Sequence, residues 1–376
     1  MLTMFIERAV QTHMRQHLFQ GKVLVVYGPR QSGKTTLMRH IITLYPEKRI
    51  KYVSGDDYSI AQALTNASSS TLKTFVDGVD ILVIDEAQYI HNIGLTLKLL
   101  HDTYPRVQVI ATGSSSFELA NKVIEPLTGR NYEFYILPFS LGELKDASLY
   151  QGGLEQELET RILYGMYPEI VLSDSATQLK LEKIASDYTS KDVLRFDRIR
   201  KSDKLIALLK ALALQIGNEF SDTEIGQTIG IDKETVYRYL DILEQSFIIF
   251  RLNPYTTNSR RALRRLKKVY FWDTGLRNAL IQNFNPLDLR TDKGGLFENF
   301  CIAELLKKQK NTLDTSLNTF WRSYGGEEID FLVEKNGHLT GYECKWKHDK
   351  DTIQKSASAP VREVKVITRY NVLSFL

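Results

Sequence analysis

Gly28-Pro29-Arg30-Gln31-Ser32-Gly33-Lys34-Thr35-Thr36 is the stretch that decides how this chain is read. It fits G-x-x-x-x-G-K-[ST], follows the apolar run VLVVY (23–27) and opens a helix-like segment, the context in which this pattern marks a P-loop. Its glycines let backbone N–H groups wrap phosphates, and the helix N-terminus adds the positive end of its dipole. Lys34 supplies a point charge to the β and γ phosphates, and the Thr35 hydroxyl is placed to hold Mg2+. ATP and Mg2+ are the expected ligands, with Gly28, Pro29, Arg30, Gln31, Ser32, Gly33, Lys34, Thr35 and Thr36 lining the site.

Working outward, Ile81-Leu82-Val83-Ile84-Asp85-Glu86 is an apolar strand ending in two acids. Asp85 is expected to hold Mg2+ through water and Glu86 to polarise the attacking water; the bland alternative is that both acids cap the next helix. A further strand, 107–111, ends in Thr112-Gly113-Ser114, where Ser114 or Thr112 is the candidate to read the γ phosphate. A serine-rich turn explains either residue as well. Arg130 is a candidate arginine finger for its own or a neighbouring subunit, or else a surface arginine.

Together with IKYV (50–53), these short apolar runs read as a parallel sheet covered on both faces. From about 181 to 280 the pattern is mostly helical, and from about 294 a helix is followed by alternating strands. A chain of 376 residues accommodates two or three domains. No run approaches the roughly 18 to 20 apolar residues of a membrane span, and the start MLTMFIERAVQTHMRQ is not a signal peptide. Cys301 and Cys344 lack metal-ligand spacing, so reduced thiols and a cytoplasmic location are expected, with no membrane partner. The net charge of +4 is mild, so only its distribution informs about nucleic acid.

The pieces GPRQSGKTTL, LVIDEAQ, ATGSSS, LTGR, ILPFSLGEL, YGMYPEIV, DYTSKDV, KKVYFWDTGLRNAL, GLFENF and EIDFLVE occur in order over almost the whole chain. In them the chain resembles the widespread prokaryotic AAA+ ATPases whose C-terminal half is a domain of unknown function. The resemblance implies ATP hydrolysis, a winged-helix segment, a nuclease-like C-terminus and a homo-oligomer, a hexamer being one form it can take. It does not settle a biological role.

In the middle, Ser221 and Asp232 are placed to cap two helices separated by a turn at Gly230, which is helix-turn-helix text. Val236, Leu240 and Leu243 share a core face, leaving Lys233, Thr235, Tyr237 and Arg238 outward for a major groove. Glu234, Asp241 and Glu244 on the same helix argue against it, and a lid or subunit contact is the alternative. Between Glu244 and Asp273 there is no acid, but there are Arg251, Arg260, Arg261, Arg264, Arg265, Lys267 and Lys268. Such a cluster points to salt-sensitive, non-sequence-specific DNA binding, or else is a solvated loop.

Near the end, Asn336-Gly337 between alternating runs predicts a two-residue hairpin. Pairing Lys335 with His338 sets Asp330 opposite Glu343 and Glu328 opposite Lys345, provided no bulge intervenes. Asp330, Glu343 and Lys345 then share a face, where a divalent cation would relieve the like charges. The set resembles the D…(D/E)-x-K core of restriction-endonuclease-like nucleases, which implies a metal on Asp330, Glu343 and the helix acid Glu298, with Lys345 as the catalytic lysine. A surface ion-pair cluster, or a nuclease-like fold that only clamps DNA, are the alternatives.

The expected fold class is α/β: a P-loop AAA+ parallel-sheet ATPase domain (1–175), a helical winged-helix middle (176–285) and a small α/β nuclease-like domain (286–376). The expected function is ATP hydrolysis coupled to remodelling or processing of DNA, branched or junction forms first. The rival is a nucleotide-dependent signalling or defence switch whose C-terminal units contact protein.

Overall fold

The computed structural model describes residues 5–114, 126–147, 154–173, 177–188, 202–256, 266–323 and 325–376. Its first sheet has strands β1 (Val23–Tyr27), β2 (Ile50–Ser54), β3 (Ile81–Asp85), β4 (Gln108–Gly113) and β5 (Asn131–Tyr135), in the order β2-β3-β4-β1-β5. All four pairings are parallel. β1, β3 and β4 are buried along their whole length because both faces are covered.

Successive residues of β1 point to opposite faces and enter different cores. Leu24 and Val26 join Met14 of helix α1 (Gln11–His17) and Leu37, Met38 and Ile41 of α2 (Lys34–Thr43). Val23 and Val25 face the other core, which receives helices α3 (Tyr58–Leu64), α4 (Ser69–Val76) and α5 (Ile93–Thr103) through Leu64, Leu72, Ile93, Leu97 and Leu100. The expected strands at 23–27, 50–53, 81–85 and 107–111 are found within one or two residues of their ends. β5 was not anticipated: Tyr132, Phe134 and the apolar run after it carry no turn signal that separates strand from loop.

Helices α6 (Leu141–Asp146), α7 (Leu154–Tyr164), α8 (Pro168–Val171) and α9 (Thr177–Asp187) lead into a second body. There α10 (Ser202–Leu214) precedes α11 (Asp222–Ile229) and α12 (Lys233–Gln245), followed by strands β7 (Ile249–Pro254) and β8 (Lys267–Phe271). The turn between α11 and α12 uses Gly230 in the left-handed region (φ 74). Asp232 caps α12 by accepting the Thr235 N–H at 2.8 Å, whereas Ser221 stands at the N-cap of α11 without a side-chain bond. A Cβ on Gly226 would lie 2.7 Å from the Ile231 carbonyl oxygen, so glycine lets the two helices approach.

Helices α13 (Thr274–Leu280) and α14 (Lys293–Asn311) precede strands β9 (Leu317–Arg322), β10 (Glu328–Lys335), β11 (His338–Cys344), β12 (Thr352–Gln354) and β13 (Glu363–Ile367). With β6 (Glu219–Phe220) they form one sheet of order β12-β13-β11-β10-β9-β7-β8-β6. β7 joins β9 in parallel at Asn253–Thr319 and Pro254–Phe320, so backbone hydrogen bonding runs continuously across residues 285–286. α14 is anchored to β8 by Asn299, whose amide bonds both the N–H and the carbonyl of Phe271 at 2.7 Å. Among the described residues no helix is long and apolar enough to cross a membrane.

The β10–β11 hairpin has the expected register from Lys335–His338 to Phe331–Tyr342. Asn336 (φ 52) and Gly337 (φ 79) both lie in the left-handed region that a type I′ turn requires. The two pairs expected farther along, Asp330–Glu343 and Glu328–Lys345, lie beyond this ladder. Against β9 the register shifts between Ile329 and Leu332, and the Asp330 carboxylate itself accepts the Cys344 N–H at 2.8 Å. The register shift thus lies in the β9–β10 ladder, while the β10–β11 ladder runs without a shift and ends at Phe331–Tyr342.

Candidate nucleotide site and its connections

β1 delivers the phosphate loop to the C-terminal edge of the sheet, and α2 begins at Lys34. Gly33 is left-handed (φ 94) at the N-cap, and a Cβ on Gly28 would stand 2.1 Å from the Ile136 carbonyl oxygen. Both glycines are thus required by backbone geometry. Lys34 is 4% exposed, and its Nζ donates to the carbonyls of Gly28 and Pro29, each at 2.8 Å.

β3 lies two places from β1, with β4 between them, so Asp85 at the end of β3 meets α2 across the tip of β4. The Thr35 hydroxyl donates to Asp85 Oδ2 at 2.8 Å, and the hydroxyls of Thr112 and Tyr52 also donate to this carboxylate. Burial alone would raise the Asp85 carboxyl, but the donors from Thr112, Tyr52 and Thr35 outweigh it and hold it below the usual carboxylate range. Thr35 and Asp85, the expected Mg2+ ligands, are therefore brought together, and both are oxygen donors of the hard kind that Mg2+ takes.

Glu86 is left-handed (φ 49), an uncommon conformation for a residue with a side chain. Its carboxylate accepts from Gln88 Nε2, which also donates to Ser114 Oγ at 3.1 Å. Glu86, Gln88 and Ser114 thus form one polar group, while Thr112 is committed to Asp85. Gln88 and Tyr52 were missed in the sequence. Gln88 lies two residues past the acids, and Tyr52 is recognisable only once β2 is known to pair with β3.

Arg130 is not at this site. Its carbonyl accepts the Val23 N–H at 2.9 Å, at the start of β1, while the phosphate loop follows its end. The five residues of β1 span roughly 16 Å at about 3.3 Å per residue, beyond the reach of an arginine side chain. Arg130 Nε instead pairs with Asp102 at 3.0 Å. The reading as a finger for its own chain is withdrawn.

Arg8 and Tyr188 tie the phosphate loop to the rest of the molecule. Arg8, 4% exposed, donates to the Ser32 carbonyl at 2.7 Å, the Leu137 carbonyl at 2.6 Å and Glu143 at 2.9 Å. Glu143 completes a capping box with Ser140 at the start of α6. At that turn the Leu141 N–H donates to Glu304 of α14 at 2.5 Å, and Lys307 Nζ donates to the Phe139 carbonyl at 3.0 Å. On the other side, the Tyr188 hydroxyl donates to the Arg30 carbonyl at 2.9 Å. The loop that would hold phosphate is thus hydrogen-bonded toward both following units.

On α12, Val236, Leu240 and Leu243 are fully buried, while Lys233, Tyr237 and Arg238 are exposed. Thr235 is half-buried, and its hydroxyl donates to Asp232 at 2.7 Å. Asp241 and Glu244 are both paired with Arg251 of β7, so these acids do not stand as free charges. Arg251 is correspondingly withdrawn from the basic stretch. Lys267 Nζ and the Arg251 guanidinium both lie over the Tyr237 ring, at 5.6 and 5.5 Å. Arg260, Arg261, Arg264 and Arg265 lie outside the described residues. Lys268 is corrected: at 2% exposed it is an interior side chain, bonded to Glu298 at 3.0 Å and to Glu328, and it cannot reach DNA.

The metal set expected in the C-terminal unit is divided differently. Among the described residues, no group of three or more His, Cys, Asp or Glu side chains is arranged to hold a metal. Glu298 accepts from Lys268 and, at 2.6 Å, from the Tyr270 hydroxyl; Glu343 is held by Lys355, with Lys345 at 3.4 Å. Asp330, 6% exposed, is bonded to the Cys344 N–H. Lys345 is half out in solvent, its side chain 46% exposed.

Residues 20–145 match the AAA domain family. The N-terminal unit is therefore similar to the AAA domains over its whole parallel sheet. Residues 155–287 and 293–367 match two domains of unknown function, DUF8612 and DUF4143. A Walker-type ATPase of Pyrococcus abyssi shares the fold over 74% of this chain and 96% of its own, with TM-score 0.50 and 15% identity. An uncharacterized protein of Methanocaldococcus jannaschii is 25% identical over 335 residues, 84% of this chain and 73% of its own. Another, of Mycobacterium bovis, is 26% identical over 347 residues, 91% of this chain and 74% of its own.

Proposed function

We propose that the chain binds Mg2+-ATP, hydrolyses it and couples hydrolysis to the handling of DNA. In the hydrolytic step, Lys34 would leave its two carbonyl partners for the β and γ phosphates. Thr35 and Asp85 would hold Mg2+, which supplies charge neutralisation on the phosphate oxygens. Glu86 would orient and deprotonate the attacking water, steadied by Gln88, with Ser114 beside it to read the γ phosphate. The bonds from Arg8 and Tyr188 to loop carbonyls would transmit a change in the loop toward α6, α9 and α14.

The DNA half of the proposal rests on one observation: Arg251 answers Asp241 and Glu244, two of the three acids that made α12 look unsuited to a phosphate backbone. Lys233, Tyr237 and Arg238 remain outward beside the exposed Glu234, with the half-buried Lys267 on the adjacent strand. The α11–α12–β7–β8 order suits a winged helix with α12 toward a groove. A homo-oligomer, with Arg130 directed at a neighbour, belongs to the same proposal.

The test is the anisotropy of labelled linear, single-stranded and four-way-junction DNA at several salt concentrations. Binding that weakens with salt and is reduced in Lys233→Ala and Arg238→Ala supports the reading. Absence of binding to every form at low salt would leave a nucleotide switch acting on protein.

A further inference from the structure

We infer that Lys268 is the resident cation of the acid cluster in the C-terminal unit, and that this unit holds no divalent metal there. The nuclease resemblance implies a metal on Glu298, Asp330 and Glu343, and the side chains do not fit it. Glu298, one of those three acids, is instead paired with an ammonium group from outside the C-terminal unit, on β8. Lys268 Nζ bonds Glu298 of α14 at 3.0 Å and also Glu328 of β10. Glu298 is meanwhile engaged by the Tyr270 hydroxyl at 2.6 Å. The third acid, Glu343, is drawn off by Lys355, which also donates to the Glu328 carbonyl at 2.7 Å.

Charge arithmetic points the same way. Glu298, Glu328, Asp330 and Glu343 are four acids, and Lys268, Lys355 and Lys345 are three lysines within ion-pair distance of members of the set. Like charges this close need compensation. The lysines provide nearly all of it, leaving little for a divalent ion to neutralise. Nor can Lys268 step aside easily. It is 2% exposed, its ammonium stands 5.6 Å from the Phe320 ring, and its strand is hydrogen-bonded on both sides, to β6 and β7. A metal displacing it would strand a buried ammonium without a partner. Because Lys268 belongs to β8 while its acids belong to α14 and β10, the ion pair also fastens the middle unit to the C-terminal one. This inference is independent of whether the protein binds DNA.

The experiment is Mn2+ titration of the nucleotide-free full chain, following the electron-paramagnetic signal of free Mn2+. Wild type and Asp330→Asn are expected to give the same curve, since no ion sits on Asp330. Lys268→Met, which removes the charge but keeps an apolar stem, is expected to gain one Mn2+ per chain, lost again in Lys268→Met/Asp330→Asn. Lys268→Arg, still cationic, should gain none. An Mn2+ bound by wild type and lost in Asp330→Asn overturns the inference, and this comparison needs no Lys268 variant to fold. A well-folded Lys268→Met that gains no ion also overturns it, because the lysine would then not be what stands in the metal's place.

Discussion

Replacing Arg8 with alanine should destabilise the AAA-type unit and weaken its grip on nucleotide. Arg8 is 4% exposed and makes three bonds, to the Ser32 and Leu137 carbonyls and to Glu143, whose side chain is 1% exposed. Removing one partner of a buried ion pair costs about 3–5 kcal/mol. Glu143 keeps the Ala9 and Ser140 N–H donors at 2.9 and 2.8 Å, so it is not orphaned and the lower end applies. The loss of two carbonyl partners adds to this only in part, because water enters the space left by the side chain. About 3 kcal/mol is expected in the urea unfolding of the unit, read by circular dichroism. Arg8→Ala/Glu143→Gln should cost less than the sum of the two single changes, because both singles remove the same ion pair. ATP affinity should fall as well, since Ser32 lies inside the phosphate loop. A loss under about 1 kcal/mol, the range of exposed pairs, would refute the claim that Arg8 fastens the loop to α6.

Other outcomes follow from the same geometry. Glu86→Gln should lower ATP turnover by about 10²–10⁴-fold while nucleotide binding persists, whereas Lys34→Ala should lose both, as checked by phosphate release and nucleotide titration. Lys233→Ala and Arg238→Ala should each reduce the slope of log affinity against log salt by about 1 on every DNA form alike. Burial alone would raise Asp292, but hydrogen bonds from Arg290 and Arg277 outweigh it and bring its carboxyl down to about 2. Its folded value is depressed, so its stabilising contribution is present above the ordinary 3.8 and is lost as pH falls toward 2. Near neutrality that contribution is fully present. Asp292→Asn should flatten the acid limb of the pH–stability curve.

The parallel sheet and the phosphate site were legible because their signals are local: Gly28 to Thr36 is one contiguous motif, and Asp85 ends a strand that is apolar throughout. The hairpin turn at Asn336-Gly337 was legible for the same reason. What the sequence hid depends on long-range contacts. Lys268 reads as one more basic residue in an acid-free stretch, and only the pairing of β8 with β7, and of β7 with β9, carries it to Glu298 and Glu328. Arg251 likewise looked like a phosphate contact until β7 set it beside Asp241 and Glu244. Only the own-chain reading of Arg130 fails, because a motif gives order along the chain and not which end of a strand a side chain occupies. The β10–β11 ladder ends at Phe331–Tyr342, and the Asp330 carboxylate accepts the Cys344 N–H, which alternation in the hairpin sequence does not reveal.

The most direct test of the account is ATP turnover by the purified chain in Mg2+ at moderate salt, with and without linear, single-stranded and four-way-junction DNA. The account predicts turnover that disappears in Lys34→Ala and rises with at least one DNA form, the rise being reduced in Lys233→Ala/Arg238→Ala. Turnover that no DNA form changes would contradict the coupling to DNA, and turnover that survives Lys34→Ala would contradict the nucleotide site itself.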